Sequence, residues 1–328
     1  MDLFTHVLVA YLVTFGIVGF KPSYLAAGAL GGGIPDADAL FFPIARRFPA
    51  LRHHGITHSL FGVSVVAGAG ALLAPLLAPG SVLVYFLVLE VGGLCHIAQD
   101  GFTHFAVPPL MPFSDRRLEL DADRAINFVT MGVSVVSFYV LLVVERNRVA
   151  FPVYLATVYV LMAFFAAYFA VRLAGRLAVG RRLHELGPFD IVAPTTNPFA
   201  WLLLAEQDVD GRHRTTWARY VFGRGLVDGP HTVEGLLGAP APRERAPTGA
   251  EEALAWSYPL AREASGVLDA TYHFGEARPE AGGGWTAVWY SLEFTMLGRA
   301  VGVRVSFPGN GGPATVRRAF FRPSLKLP

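Results

Sequence analysis

Four short segments gather side chains able to bind a metal ion. His6 lies in the opening Met-Asp-Leu-Phe-Thr-His. Asp36 and Asp38 lie in Gly-Gly-Gly-Ile-Pro-Asp-Ala-Asp, residues 31–38. His53, His54 and His58 lie in His-His-Gly-Ile-Thr-His-Ser, residues 53–59. His96, Asp100 and His104 lie in His-Ile-Ala-Gln-Asp-Gly-Phe-Thr-His. The last three are spaced i, i+4, i+8, so they share one face of a helix that continues past Gly101. One turn apart, an imidazole and a carboxylate can chelate a single ion. Asp36 and Asp38 follow glycines and a proline, and carboxylates brought this close repel unless a cation or a shared proton holds them. Taken singly, each group has a plainer reading: an interfacial imidazole for His6, a helix cap or turn for the two aspartates, a hydrogen-bonded core pair for His96 and Asp100. The single cysteine, Cys95, excludes a disulfide framework and a Cys-rich zinc site.

The elements that must position these groups follow from composition. The 328 residues are 53% apolar and 16% charged, with mean hydropathy +0.44. Soluble domains carry about 25% charge, so neither a disordered chain nor a purely soluble enzyme fits. Charge is also uneven: 23 charged residues in 1–184, against 29 in the shorter stretch 185–328. Runs free of Asp, Glu, Lys and Arg cover Ser59–Ala78, Ile126–Val144 and Phe151–Val171, each long enough to cross about 30 Å of hydrocarbon. Ser81–Gln99 is a fourth, broken only by Glu90, which reads as an internal polar contact. Leu3–Phe20 and the shorter Pro22–Pro35 give two more. Asp2 and Lys21 stand where a signal peptide would have a basic start and a small-residue cleavage site.

Six spans put His6, Asp36, His58, His96 and Asp100 at one membrane face, because antiparallel hairpins return the chain to the same depth. That convergence favours a metal site over the separate plain readings, since ionisable groups at spans are functional candidates. The same face collects ten Lys/Arg (Arg46, Arg47, Arg52, Arg116, Arg117, Arg124, Arg172, Arg176, Arg181 and Arg182) against Lys21, Arg146 and Arg148 opposite, and the positive-inside rule makes it cytoplasmic. The expected fold is a mainly α membrane helical bundle of about six spans with a small C-terminal antiparallel β-rich (α+β) soluble domain. Residues 1–184 form the transmembrane domain carrying the metal site, and 185–328 the cytoplasmic β-rich domain. Within the latter, Phe199–Glu206, Arg214–Phe222, Gly266–Phe274, Trp285–Glu293 and Val301–Phe307 read as strands and Thr248–Ala264 as a helix, with Thr248 as N-cap and Glu251 three residues on.

His6, Pro35-Asp36-Ala37-Asp38, His53-x-Gly55-x-Thr57-His58-Ser59, His96-x-x-x-Asp100 and the trailing Val107-Pro108-Pro109-Leu110-Met111-Pro112 resemble the YdjM/YbcI-type family of membrane-bound metal-dependent hydrolases, also described as LexA-binding inner-membrane hydrolases, over roughly residues 1–125. The order of ligands is also similar to that of zinc-dependent phospholipase C and its single-strand nuclease relatives. Three departures stand out. His54 occupies a place where the family commonly has Arg, Ala39 one where a variant motif has His, and the phospholipases' later His-x-x-x-Glu pair is absent.

The reading is an inner-membrane, multi-pass hydrolase with one or two divalent ions, zinc for preference, cleaving a phosphoester or other lipid-like ester. His6, Asp36, His58, His96 and Asp100 are the expected ligands, with His53 and His104 as further candidates. Asp38 would orient or deprotonate the metal-bound water. Arg116 and Arg117 could hold a phosphate, although a positive-inside anchor explains them as well. Membrane lipids are the expected partners, with a protein partner possible through the C-terminal domain. A net charge of +2 gives no case for nucleic acid. The alternative is a non-catalytic membrane protein with a structural metal site and a partner-binding C-terminal domain.

Overall fold

The computed structural model describes residues 1–41, 48, 54–103, 106–124, 126–146, 151–237, 245–265, 274–296 and 299–321. His53 and His104 lie outside them, as do Arg46, Arg47 and Arg52. The chain forms two compact units, Met1–Arg176 and Leu177–Pro328.

The first unit is helical. Helix α1 is Leu3–Val18, α2 is Pro22–Gly33, α3 is Leu60–Leu77, α4 is Val82–Phe102, α5 is Phe128–Arg146 and α6 is Phe151–Leu186, which runs on into the second unit. Short 3-10 turns occupy Pro35–Phe41 and Ile56–His58. Asp2 caps α1 by accepting from the Thr5 N–H at 3.0 Å and its hydroxyl at 2.7 Å. Among the described residues, four helices are long and apolar enough to cross a membrane: α3, α4, α5 up to Glu145, and α6. Helix α1, with 16 residues, and α2, with 12, rise about 24 and 18 Å, short of the hydrocarbon core. Leu72, Leu76 and Leu77 of α3 point outward, as on a lipid-facing surface. Glu90 makes the internal contact expected of it, accepting from the Ser64 hydroxyl at 2.8 Å. Cys95 is half-buried.

Glycine lets α1, α2 and α4 approach closely. A Cβ on Gly31 would stand 2.3 Å from the Leu89 carbonyl oxygen, and one on Gly92 would stand 2.2 Å from that of Gly28. A Cβ on Gly32 would meet Ala10 and the His6 carbonyl of α1. Small residues at these crossings take the place that larger side chains would hold apart, as in other membrane helix pairs.

A buried ion pair secures the C-terminal end of α4. Arg172 of α6 reaches Asp123 Oδ1 at 3.1 Å, and both side chains are fully buried. Its Nε donates to the Ala122 carbonyl at 2.9 Å. Tyr168 donates to Asp123 Oδ2 at 2.6 Å and Asn127 donates to Oδ1 at 2.9 Å. The same loop donates from Leu120 to Gly101 and from Ala122 to Phe102, at 2.9 and 3.0 Å. Helix α6 thus holds the loop, and the loop holds the turn that carries Asp100. Arg172 is therefore an internal strut and not the surface charge that its place in a basic run suggests.

The second unit has two four-stranded antiparallel sheets. Strands β1 (Ile191–Pro194), β2 (Ala200–Val209), β3 (Arg212–Val221) and β4 (Gly225–Leu236) form one, in that order. Strands β5 (Phe274–Pro279), β6 (Trp285–Met296), β7 (Arg299–Phe307) and β8 (Thr315–Phe321) form the other. Asp210 and Gly211, both at positive φ, close the β2–β3 hairpin. Leu202, Leu204 and Trp217 of the first sheet bury with Phe274, Val288 and Tyr290 of the second. Helix α7 (Ala250–Ser265) packs Trp256 and Ala261 against Trp289, Val303 and Val305. The helix starts at Ala250, so Thr248 lies one residue before the capping position expected of it, and its N–H and hydroxyl both donate to Glu252, at 2.7 and 2.8 Å, not to Glu251. The strand expected over Gly266–Phe274 meets β5 only at Phe274, and 266–273 lie outside the described residues.

Removing one partner of a buried ion pair strands the other and costs about 3–5 kcal/mol, whereas replacing both with apolar groups is often neutral. Arg172→Met should destabilise the detergent-solubilised protein by that margin, seen as a lower thermal unfolding temperature, and Arg172→Met with Asp123→Leu should recover most of the loss. An unchanged transition in the single variant would show that the strut carries no stability.

Candidate metal centre

Four of the expected ligands meet at one point. The 3-10 turn after α2 supplies Asp36, the turn before α3 supplies His58, and the last turns of α4 supply His96 and Asp100. His58 Nε2 lies 3.2 Å from His96 Nε2, 3.5 Å from Asp100 Oδ2 and 3.7 Å from Asp36 Oδ1. His96 Nε2 lies 3.3 Å from Asp100 Oδ2 and 3.6 Å from Asp36 Oδ1. Four donors about 2.0–2.1 Å from one ion at tetrahedral angles stand about 3.3–3.4 Å from each other. The observed separations bracket that value, so the four residues fit a zinc-sized ion, and all four donor atoms lie within 4.8 Å of one another.

The backs of the two imidazoles are fixed as well. His96 Nδ1 faces the Gly32 carbonyl at 2.8 Å, a contact that the glycine-mediated packing of α2 on α4 makes possible. His58 Nδ1 faces Asp38 Oδ2 at 3.3 Å, and the Thr57 hydroxyl, 3.1 Å from Nδ1, donates to the same carboxylate oxygen at 2.9 Å. Metal-binding imidazoles ordinarily donate their second N–H to a carboxylate or a carbonyl, which sets the tautomer and leaves Nε2 free for the ion.

Asp38 therefore stands elsewhere than the sequence pattern suggests. Expected beside a metal-bound water, its fully buried carboxylate instead lies behind His58, one imidazole away from the four donors. His6 is close but outside the set of four. Its Nε2 is 3.0 Å from Asp100 Oδ1, its ring stacks on His96 at 3.8 Å, and its buried Nδ1 has no hydrogen-bond partner. Asp100 Oδ1 also receives the Met1 amino group. Arg116 and Arg117 are exposed in the loop between α4 and α5, where Arg117 donates to the Ala106 carbonyl at 2.9 Å.

Two participants carry little sequence signal as ligands. His54 brings Nε2 to 3.5 Å from Asp100 Oδ2, its side chain 11% exposed and its backbone at φ 57°. In the sequence it stands beside His53 and departs from the family's arginine, and His53 is the ligand candidate of the two. Thr57 is marked only by its place beside His58.

The electrostatics call for a positive charge. Burial by itself would raise Asp36, yet its hydrogen bond to His58 and the charges of His96 and His6 bring it to about 2. Burial would lower His58, but hydrogen bonds to Asp36 and Asp38 and the charge of Asp100 push it up to about 9. Three carboxylates around the two imidazoles thus favour a positive charge there, and a proton on His58 is one form it takes.

Residues 1–176, more than half of the chain, match the family model described as YdjM inner membrane protein. No curated protein and no solved structure gives a significant match.

The purified protein should carry about one to two equivalents of a divalent transition metal, and His96→Ala with Asp100→Ala should remove most of it, read by elemental analysis. Metal content equal to wild type in that double variant would refute the donor set.

Proposed function

The chain belongs to the YdjM inner membrane protein family and is a membrane protein, and from its site we propose that it is a metal-dependent hydrolase acting on a phosphoester or other lipid-like ester. The observation that carries this is the convergence of Asp36, His58, His96 and Asp100 at ligand spacing, with His6 and His54 at the edge of the cluster. A divalent ion held there, zinc for preference, would bring the pKa of a bound water to near neutral and polarise the scissile bond. The His and Asp donors, without Cys, suit an oxygen substrate and a water nucleophile.

In this reading the chain's own residues divide the work. Asp38 and Thr57 orient His58, and the Gly32 carbonyl orients His96. Asp36, with 23% of its side chain exposed, marks the side from which substrate arrives. His54, on the Asp100 side of the cluster, is placed to contact what arrives. Arg116 and Arg117 are available to a phosphate from the following loop, and His53 and His104 remain further candidates for ligation. With six spans, α1 and α2 being the short members, the ten-to-three Lys/Arg bias favours the N-terminus and residues 185–328 in the cytoplasm. The second unit then offers a surface to a protein partner.

A structural site is the competing reading, and one observation favours it: four protein donors at near-tetrahedral spacing can close a zinc site completely. Two features favour the open site. Asp36 is partly exposed, and His6 and His54 stand beside Asp100 at the edge of the four donors, two more imidazoles than a closed tetrahedron uses.

Two measurements test the proposal. A panel of phosphodiesters, phosphomonoesters and carboxylic esters presented in detergent should yield slow turnover that chelation abolishes; metal-loaded protein inert on the whole panel would favour the structural site. Asp38→Asn should weaken metal affinity about 10- to 100-fold and regain turnover at higher metal concentration. Undiminished affinity with turnover lost at every metal concentration would return Asp38 to the role of base.

For orientation, a C-terminal tag should resist protease in intact cells and be cleaved after lysis. Cleavage in intact cells would reverse the topology.

A further inference from the structure

A cavity of about 260 Å³ lies between α2, the 3-10 turn that follows it, α3 and α4. Ile34, Val63, Val66, Ala67 and Leu89 make its walls apolar. The polar side chains among its lining residues are Asp38 and Thr57, the pair hydrogen-bonded to each other and to His58. The cavity therefore abuts the donor cluster through the back of one of its imidazoles.

Its wall is continuous with the membrane-facing surface. Val63, Val66 and Ala67 stand at i, i+3 and i+4 on α3, a helix whose apolar side chains mostly point outward. Val66 is 37% exposed and still lines the cavity. An apolar space of this size opening beside a lipid-facing helix gains nothing from water, since its walls offer almost no hydrogen-bond partners. A hydrocarbon chain removes apolar wall and apolar ligand from water together.

We propose that this cavity holds one acyl chain of a membrane lipid or lipid-like ester, seating the molecule's polar end beside the donor cluster. As a binding site it stands on the cavity alone; as a substrate site it rests on the hydrolase reading. The cavity then selects for chain length, and the bond to be cleaved lies near the chain's polar end.

The test uses the full-length protein in lipid nanodiscs doped with a phosphatidylglycerol that carries a diazirine in its acyl chain. Irradiation should place label on Ile34, Val63, Val66, Ala67 or Leu89. Ala67→Phe, which fills the cavity, should cut that label at least about tenfold while leaving metal content unchanged. Val66→Trp, at the half-exposed mouth where folding is not at risk, should do the same to a lesser degree. Label confined to outward residues such as Leu72 and Leu76, or equal cavity labelling in both variants, overturns the proposal. Cavity label that Ala67→Phe abolishes, in a protein that turns over no ester, upholds the acyl site and overturns the hydrolase reading instead.

Discussion

Three carboxylates, Asp36, Asp38 and Asp100, surround two imidazoles in a space where Asp38, His58, His96 and Asp100 are almost wholly withdrawn from water. Like charges so placed cannot all persist without a compensating positive charge, because the desolvation of each ion far exceeds what a neutral hydrogen bond returns. The rest of the first unit can be understood from that constraint. Positive charge must accompany them, whether the Met1 amino group on Asp100, a proton on His58 or a bound ion, and the backbone must bring chain positions from 36 to 100 close enough to share it. Among the described residues, the Met1 amino group reaches Asp100, Arg116, Arg117 and Arg124 come only after α4, and Arg172 is committed to Asp123.

Packing meets the constraint in two ways. Glycines on α2 and α4 let backbone replace side chain at the crossing, so the Gly32 carbonyl reaches His96 directly. A larger residue at 31, 32 or 92 would part the helices by more than the tolerance of a metal site. At the far end of α4, the chain leaves the helix as a loop, and a loop alone would let Asp100 wander. The Asp123–Arg172 pair ties that loop to α6. One buried ion pair thus steadies another charged cluster, and each element spends its polar groups on orientation.

The helices were legible because hydropathy and charge-free runs are local properties. The sequence limits of α3 and α4 agree with the observed ones to within about three residues, a normal uncertainty at helix ends. The end of α6 was not legible, since the helix continues through Arg172, Arg176, Arg181 and Arg182, a basic run that composition reads as the close of a span. In the second unit the aromatic alternation of β2, β3, β6 and β7 was visible. Strand β4 was not, because Gly225, Asp228, Gly229 and Pro230 carry the signature of a turn, and pairing with β3 overrides it. At the site, the i, i+4 pair His96 and Asp100 could be read directly, and the shared depth of His58 and Asp36 could be inferred from topology. What could not be read was which nitrogen of each imidazole faces inward. That choice places Asp38 behind His58, and it depends on ring orientation, which spacing does not encode. The Asp123–Arg172 pair was hidden for a related reason: its partners are far apart in sequence and each has an ordinary local explanation.

The cluster is asymmetric, and the asymmetry bears on what it can do. The nitrogens of His58 and His96 that face away from the donors are held, by the Gly32 carbonyl on His96 and by Asp38 with Thr57 on His58. By contrast, Asp36 and His54 are partly exposed, and Asp100 turns its second oxygen toward the buried His6. A purely structural ion gains from being enclosed evenly, because any exposed ligand invites water to compete for the metal. A rigid back with an adaptable front is instead what a reacting site requires: the ligands cannot shift as charge develops, while one side stays open to a substrate. The rigid side is also the side that meets the apolar interior of the membrane helices. There the Asp38 and Thr57 pair meets the apolar wall formed by α2, α3 and α4, an arrangement that suits a molecule polar at one end and apolar along its length.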